Sequence, residues 1–308
     1  RYLRDRYGMK NLELHHLPVE EVESLKRDFD LVISTGVLHH LADPVIGMAA
    51  LGRVLRPDGV AAVMLYARYG RLGVEMLQGV FRDLGLRQSD ASVLMVREAL
   101  EQLPQDHPVK SYLAIAPDLR FDAGLVDTFL HGRERSYTVD DCLDLVSAAG
   151  LVFQDFYLRA PYSAPASPSG ALGHALSVLP REKRWSVMER INFRNGCHFF
   201  TVCRPERPPA GYRIEFTPEN APRHVPSLRY RCTLNGNRLA RQNWSTPLAP
   251  DQLALVRRAD GMRTTTEIAE AARQAGELGN RNLPDAITFA VGTFERLWEL
   301  DLLAIALR

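Results

Sequence analysis

The chain has 308 residues, enough for one large or two ordinary domains. Hydrophobic residues make up 46% and charged residues 24%, a globular balance that excludes a disordered or fibrous chain. A formal net charge of +1 removes any bulk electrostatic case for nucleic acid or an anionic membrane surface. Cys142, Cys197, Cys203 and Cys232 are scattered without paired spacing, which fits free thiols in a reducing compartment. No signal peptide and no bilayer-length apolar run is found, so a cytoplasmic location is expected. The first residues, "RYLRDRYGMK", lack a methionine and read as the tail of an amphipathic helix, so the front of a domain is expected to be missing.

In chain order, "NLELHH" (Asn11 to His16) predicts a short strand, and "FDLVIST" (Phe29 to Thr35) a strand buried on both faces. Asp43 and Pro44 supply an N-cap and a first-turn proline for a helix that places Ile46, Ala50, Leu51, Val54 and Leu55 on one period. "RPDG" (Arg56 to Gly59) predicts a turn, and "VAAVMLY" (Val60 to Tyr66) another buried strand. Strand, helix and strand with short links make a βαβ unit, hence a parallel sheet with a right-handed crossover. From Tyr69 to about Arg135 the pattern is helical, with breaks at Gly85, Pro104 and Pro108. Thr138 with Asp141 forms a capping box, and Gly150 a C-terminal cap. "LVFQDFYL" (Leu151 to Leu158) reads as a strand, "APYSAPASPSGALG" as a loop, Arg184 to Ile191 as a short helix and "CHFFTVCR" (Cys197 to Arg204) as a last strand.

Residues 205–226 are proline-rich and read as a linker between a domain over 1–204, with an insertion at about 69–137, and a smaller one over 227–308. In the latter, "LRYRCTL" is strand-like and "LAPDQLALVRRADGMR" a helix ending at Asp260-Gly261. Thr264 and Glu267 form a second capping box. "DAITFAVGTFERLWELDLLAIAL" is a longer helix leading into a short apolar end, and its Phe294, Leu297 and Trp298 are core at helical spacing.

In open α/β sheets ligands bind outside the carboxyl ends of the strands. That rule singles out the loops Leu17-Pro18-Val19, Thr35 to His40, and Ala67 to Arg71. The segment "FDLVISTGVLHHLADPVIGMAALGRVLRPDGVAAVMLYA" resembles the centre of class I S-adenosylmethionine-dependent methyltransferases: an FDxV strand, an "LHHL" loop, and a helix ending in L-x-P-x-G, with Pro57 and Gly59 in that last motif. With the closing helix and last two strands, the resemblance covers roughly the first two-thirds of the chain. It implies an α/β, Rossmann-like methyltransferase sheet, partial and without its first strands, carrying a helical insertion. The family's glycine-rich loop and its ribose-holding acidic residue are not in this sequence, which again points to a missing front.

The resemblance implies S-adenosylmethionine as cofactor. Leu17, Pro18 and Val19 would line its adenine pocket. Thr35, Gly36, Val37 and Leu38 would pass beneath it, and His39 and His40 would sit at its boundary with substrate. Methyl transfer needs the nucleophile, carbon and sulfur held in line, with a base only where the nucleophile must lose a proton. For the two histidines a structural or cofactor-lining role ranks first, general base second and metal binding last, because adjacent side chains point apart and no tetrahedral donor set lies nearby. His15 and His16 fall on opposite faces of their expected strand. Substrate contacts are expected from Tyr66, Tyr69 and Arg71 at the mouth of the site and from His131, Arg135 and Tyr137 after the insertion. That second cluster, with Asp127 and Arg133, has an equal alternative as salt bridges tying the insertion down.

The C-terminal part resembles small α+β winged-helix modules that bind leader peptides or partner proteins. A DNA-reading role is poorly supported, since Thr264 to Ala275 has only Arg273 as a basic residue. The function expected is methyl transfer to an unidentified N or O nucleophile, on a small molecule or a protein side chain, with this chain inactive alone. The alternatives are a catalytically inactive methyltransferase-like regulatory or scaffolding protein, and a transcription factor with an enzyme-derived sensor domain. No metal, nucleic acid or membrane partner is expected, and the oligomeric state stays open.

Overall fold

The computed structural model describes residues 1–163, 170–241 and 244–307. The chain forms two compact units, one of residues 1–155 with 196–208 and one of residues 156–195 with 209–308. This grouping differs from the sequence boundaries, because 156–195 goes with the C-terminal residues. Six residues of the expected Pro/Ser/Gly loop, 164–169, lie outside the described residues.

The first unit opens with α1 (Tyr2–Arg6), followed by irregular chain and a 3-10 helix over Val19–Leu25 before β1 (Phe29–Thr35). "NLELHH" is not a strand: no ladder partner lies beside it among the described residues, and extended chain becomes a strand only when its backbone groups are paired. The helix α2 (Pro44–Arg53) starts where expected, with the Asp43 carboxylate accepting from the amides of Val45 and Ile46. Ala50, Leu51, Val54 and Leu55 are buried, whereas Ile46 is half exposed. Next, β2 (Leu55–Tyr66) runs parallel to β1, which establishes the βαβ unit.

The sheet order is β1-β2-β4-β3, so β1 is an outer strand rather than a doubly buried one. Leu31 and Ile33 are 56% and 68% exposed on it. "RPDG" is not a separate turn but an irregularity within β2. The register passes from Phe29↔Leu55 to Leu31↔Val60, two steps along β1 against five along β2. Gly59 permits this, because a Cβ there would lie 2.8 Å from the Phe29 carbonyl.

The insertion is helical: α3 (Leu72–Asp83), α4 (Asp90–Gln102), α5 (Val109–Leu113) and α6 (Asp122–Phe129) share a core that includes Val74, Phe81, Val96, Val109, Leu125 and Phe129. Both halves of the Thr138–Asp141 capping box open α7 (Val139–Ala148), and β3 (Val152–Phe156) follows. In the second unit α8 (Ala171–Ser177) and α9 (Arg181–Ile191) come next, the latter beginning one turn earlier than predicted, directly after Pro180. The chain then returns to the first unit as β4 (Cys197–Cys203), antiparallel to β2, so the sheet is mixed.

The rest of the second unit comprises β5 (Val225–Leu228), the antiparallel meander β6 (Cys232–Asn235), β7 (Arg238–Arg241) and β8 (Trp244–Pro247), then α10 (Pro250–Val256), α11 (Thr265–Gln274), α12 (Leu283–Glu299) and β9 (Leu303–Ala306), which pairs with β5. "LRYRCTL" is broken because Arg231 takes a left-handed φ of 65°. The helix expected to run to Asp260 ends at Val256, and the Asp260 carboxylate accepts from the amides of Met262 and Arg263 in a turn at Gly261. Residues 205–226 are more than a tether, since Ala221 and His224 are buried. Phe294, Leu297 and Trp298 are core, as their spacing predicts.

Candidate active site

The site is built where β1 and β2 end side by side. Gly36 turns the chain out of β1 with φ +72°. Val37 is 40% exposed, Leu38 is fully buried, and a short turn of Leu38–His40 carries the two histidines into the loop. Leu38 and Val19 both close on Gly47 of α2, so these two side chains hold the helix against the loop. Leu17 is half-buried nearby in the sequence, and Pro18 is exposed just before the turn that starts at Val19. Thr35 is exposed at the strand's end.

From β2 comes Tyr66, whose ring stacks on His39 at 4.0 Å between centroids. The Arg71 guanidinium lies 3.7 Å from the centroid of the same ring. Tyr69 is half-buried at the start of the turn that carries Arg71. Arg71 is wholly buried, donates to Glu134 at 2.6 Å and also to the Tyr112 hydroxyl. Burial by itself would lower the Arg71 guanidinium, but the Glu134 carboxylate outweighs that and holds it above its usual value. Gln78 donates to the same Glu134 oxygen at 2.9 Å and to the Thr128 carbonyl, which ties α3 to the end of α6. Burial pushes the Tyr66 phenol up, so it stays neutral and donates to Asp127 at 3.1 Å. It also pushes the Tyr112 phenol up to about 12.

The chain leaving the insertion crosses both loops. The Arg135 amide donates to the His39 carbonyl (3.1 Å), the Tyr137 amide to the Tyr66 carbonyl (2.8 Å), and the Arg68 amide to the Tyr137 carbonyl (2.8 Å). His40 Nδ1 donates to the Arg133 carbonyl at 2.9 Å, and the His131 ring lies 4.0 Å from that of His40. The buried His198 of β4 donates from Nε2 to the Tyr137 carbonyl.

Five of the residues expected at the site, His39, His40, Tyr66, Arg71 and His131, are thus in one cluster. Tyr137 reaches it through its backbone, while its ring is buried and its hydroxyl has no hydrogen-bond partner among the described residues. Arg135 likewise reaches it through its backbone amide, while its exposed side chain lies 4.8 Å from the Tyr137 ring and pairs with Asp141 at 3.4 Å, as in the tie-down alternative. Glu134, Tyr112 and Gln78 are the members that sequence reasoning missed. Glu134 was hidden between two more conspicuous arginines, but Gln78 left a signal: it falls seven residues after Arg71 on the inward face of α3.

The two histidines differ in chemistry. His39 is 1% exposed, and neither ring nitrogen has a partner among the described residues. Burial first, then the neighbouring His40, Arg71 and His131, push it down to about 3, so it is neutral and a poor proton acceptor. His40 has its Nδ1–H committed to a carbonyl, which leaves Nε2 as the lone-pair nitrogen of the neutral ring. No group of three or more His, Cys, Asp or Glu placed to hold a metal occurs among the described residues. None of their helices is long and apolar enough to cross a membrane.

Comparison with known proteins defines the fold first. Residues 1–63 match the family model of a methyltransferase domain. The chain shares its fold with two solved structures of PKMT2 from Rickettsia typhi. One is in complex with AdoHcy (TM-score 0.66, 15% identity) and the other is described without it (TM-score 0.68, 13% identity); each covers 99% of this chain and 63% of that chain. The sheet is accordingly a Rossmann-like methyltransferase sheet. Among individual relatives, the uncharacterized protein syc1184_c of Synechococcus sp. is 30% identical over 188 residues, 59% of this chain and 45% of that protein. The tRNA 5-carboxymethoxyuridine methyltransferase of Escherichia coli is 36% identical over 72 residues, 23% of this chain and 28% of that protein. The chain therefore spans less than half of its cyanobacterial relative and under two-thirds of each PKMT2 chain.

Proposed function

We propose that this chain carries the substrate-side part of an S-adenosylmethionine-dependent methyltransferase centre, acting on an N or O nucleophile. One observation carries the reading: His39 and Arg71 both lie on the Tyr66 ring at the carboxyl ends of two parallel strands, where open α/β sheets bind their ligands. The match of residues 1–63 to a methyltransferase domain agrees with it.

The residues present fit the edge of the cofactor. Gly36 bends the chain away at the strand end, Val37 offers an exposed apolar side chain, and the buried His39 ring holds two nitrogens that nothing in the described protein satisfies. When bound, the cofactor supplies an electrophilic methyl group on a sulfonium. The chain's own work is to position and to move a proton. Tyr66, pinned between Asp127 and Arg71, fixes the wall of the site. His39 shapes that wall and stays uncharged. His40, through Nε2, is the base for a nucleophile that must lose a proton.

The acceptor we favour is a protein side chain, with the helices α10 to α12 and the β6–β8 meander acting as a winged-helix-like recognition module for the polypeptide. Calorimetric titration of the full-length gene product with S-adenosylhomocysteine tests the enzyme reading, and saturable binding is expected. Absence of binding would leave the inactive, scaffolding alternative in its place.

A further inference from the structure

The second unit holds a feature that the methyltransferase reading does not use. A cavity of 380 Å³ is lined by Arg213, Glu215, Asn220, Arg223 and His224, with Leu307 at its apolar side. His224 is 2% exposed, yet neither ring nitrogen has a hydrogen-bond partner among the described residues. A buried ring without a hydrogen-bond partner is costly and needs an explanation. Its orientation is held by Phe216, which meets the ring edge-on at 5.0 Å, and its backbone carbonyl accepts from both the amide and the hydroxyl of Thr265.

The charges around it are unequal. Glu215 is matched by Arg213 at 3.6 Å. Arg223 has no carboxylate partner among the described residues and makes only a long contact, 3.4 Å, to the Asn220 side-chain oxygen. Among the described residues the cavity thus keeps one unneutralised guanidinium, one amide and one orphaned imidazole. Burial holds His224 below its usual value, so the ring is neutral and presents one N–H.

We infer that this cavity is an oxyanion site, in which Arg223 and the His224 N–H together hold a carboxylate or phosphate group borne on a larger ligand. Arg is the side chain whose fork matches such a group, and charge-assisted bonds of this kind are about twice as strong as neutral ones. The Leu307 side of the cavity takes the ligand's carbon body. The two sources of that chemistry are an acidic side chain of a polypeptide and a free phosphate ester.

The test is calorimetry on the full chain at low salt, with inorganic phosphate in one arm and an end-blocked oligoglutamate peptide in the other. Saturable millimolar or tighter binding of at least one probe is expected. Arg223→Gln, on an exposed side chain, should weaken it about tenfold, and Arg194→Gln, an exposed arginine elsewhere in the unit and outside the meander and α10 to α12, should leave it unchanged. A peptide that binds tenfold tighter than phosphate identifies the polypeptide source, and the reverse order the phosphate ester. The ring signals of His224, found by their loss in His224→Asn, should move as the better probe is added. If that variant does not fold, the two arginine variants decide alone. The proposal is overturned if neither probe binds, or if Arg223→Gln and Arg194→Gln behave alike.

Discussion

Each unit buries an arginine–carboxylate cluster, and the two clusters are finished differently. In the second unit Asp301 is saturated: its carboxylate accepts from the amides of Arg159 and Ala160 and pairs with the guanidinium of Arg229, with Arg159 at 3.8 Å, while Arg241 donates to its carbonyl. In the first unit the Arg71–Glu134 cluster is left incomplete, with Arg71 Nε, Glu134 Oε2 and both His39 nitrogens buried and unpartnered among the described residues. A saturated network is what a clasp requires, because every donor and acceptor is spent on holding the chain. The unsaturated one lies beside the carboxyl ends of two parallel strands, the place where open α/β sheets bind ligands. The number of orphans, more than the number of charges, separates the two.

The sharpest way to break this comparison is Asp301→Ala. It should cost about 3–5 kcal/mol in chemical denaturation, because it strands Arg229 and Arg159 at a largely buried place. Burial pushes the Asp301 carboxyl up and the Arg229 guanidinium down, so the pair's net worth is smaller than the cost of breaking it. A loss below about 1 kcal/mol would mean that Asp301 is no clasp. Glu134→Gln should cost less, about 2–3 kcal/mol, since Gln keeps an acceptor for Arg71 while removing its counter-charge. If the cluster belongs to a site, the same variant should also weaken S-adenosylhomocysteine binding to the full-length protein. Unchanged affinity would make the network purely structural.

The third effect is pH-dependent. His39 and His198 are held down to about 3 and about 4 by burial, below their ordinary 6.5. In the unfolded chain they take protons near 6.5, and in the folded chain only far lower. Their contribution is therefore complete above pH 6.5 and is lost as pH falls through the window from 6.5 toward 4 and 3. For His198 alone the limit is about 1.4 kcal/mol per pH unit, or about 2 kcal/mol at pH 5. A melting temperature that stays flat from pH 7 to pH 5 would contradict the burial of both rings. Smallest is Tyr66→Phe, which removes the 3.1 Å bond to Asp127 and should cost about 1 kcal/mol, read from the denaturation midpoint.

Much of this was legible where the rule is local. The caps at Asp43, Thr138 and Thr264 depend on a side chain and amides two or three residues away, and all three stand as the sequence spells them. The "LHH" loop could be placed at a strand end for the same reason. Burial was not local. "FDLVIST" carries the composition of a central strand, yet a strand's exposure depends on its neighbours, and among the described residues β1 has one on a single side only. Nor could sequence foresee that Glu134, Gln78 and Tyr112, on three separate segments, would converge on Arg71. Such a meeting is set by how the insertion's helices return to the sheet.

That outer strand has a practical side. Among the described residues β1 pairs with a strand on one side only and presents Leu31 and Ile33 beside that open edge, a template on which other strands can grow. The chain's colloidal behaviour is thereby written into seven residues: association should rise with concentration, and Ile33→Lys should suppress it without touching the residues clustered at the strand's far end.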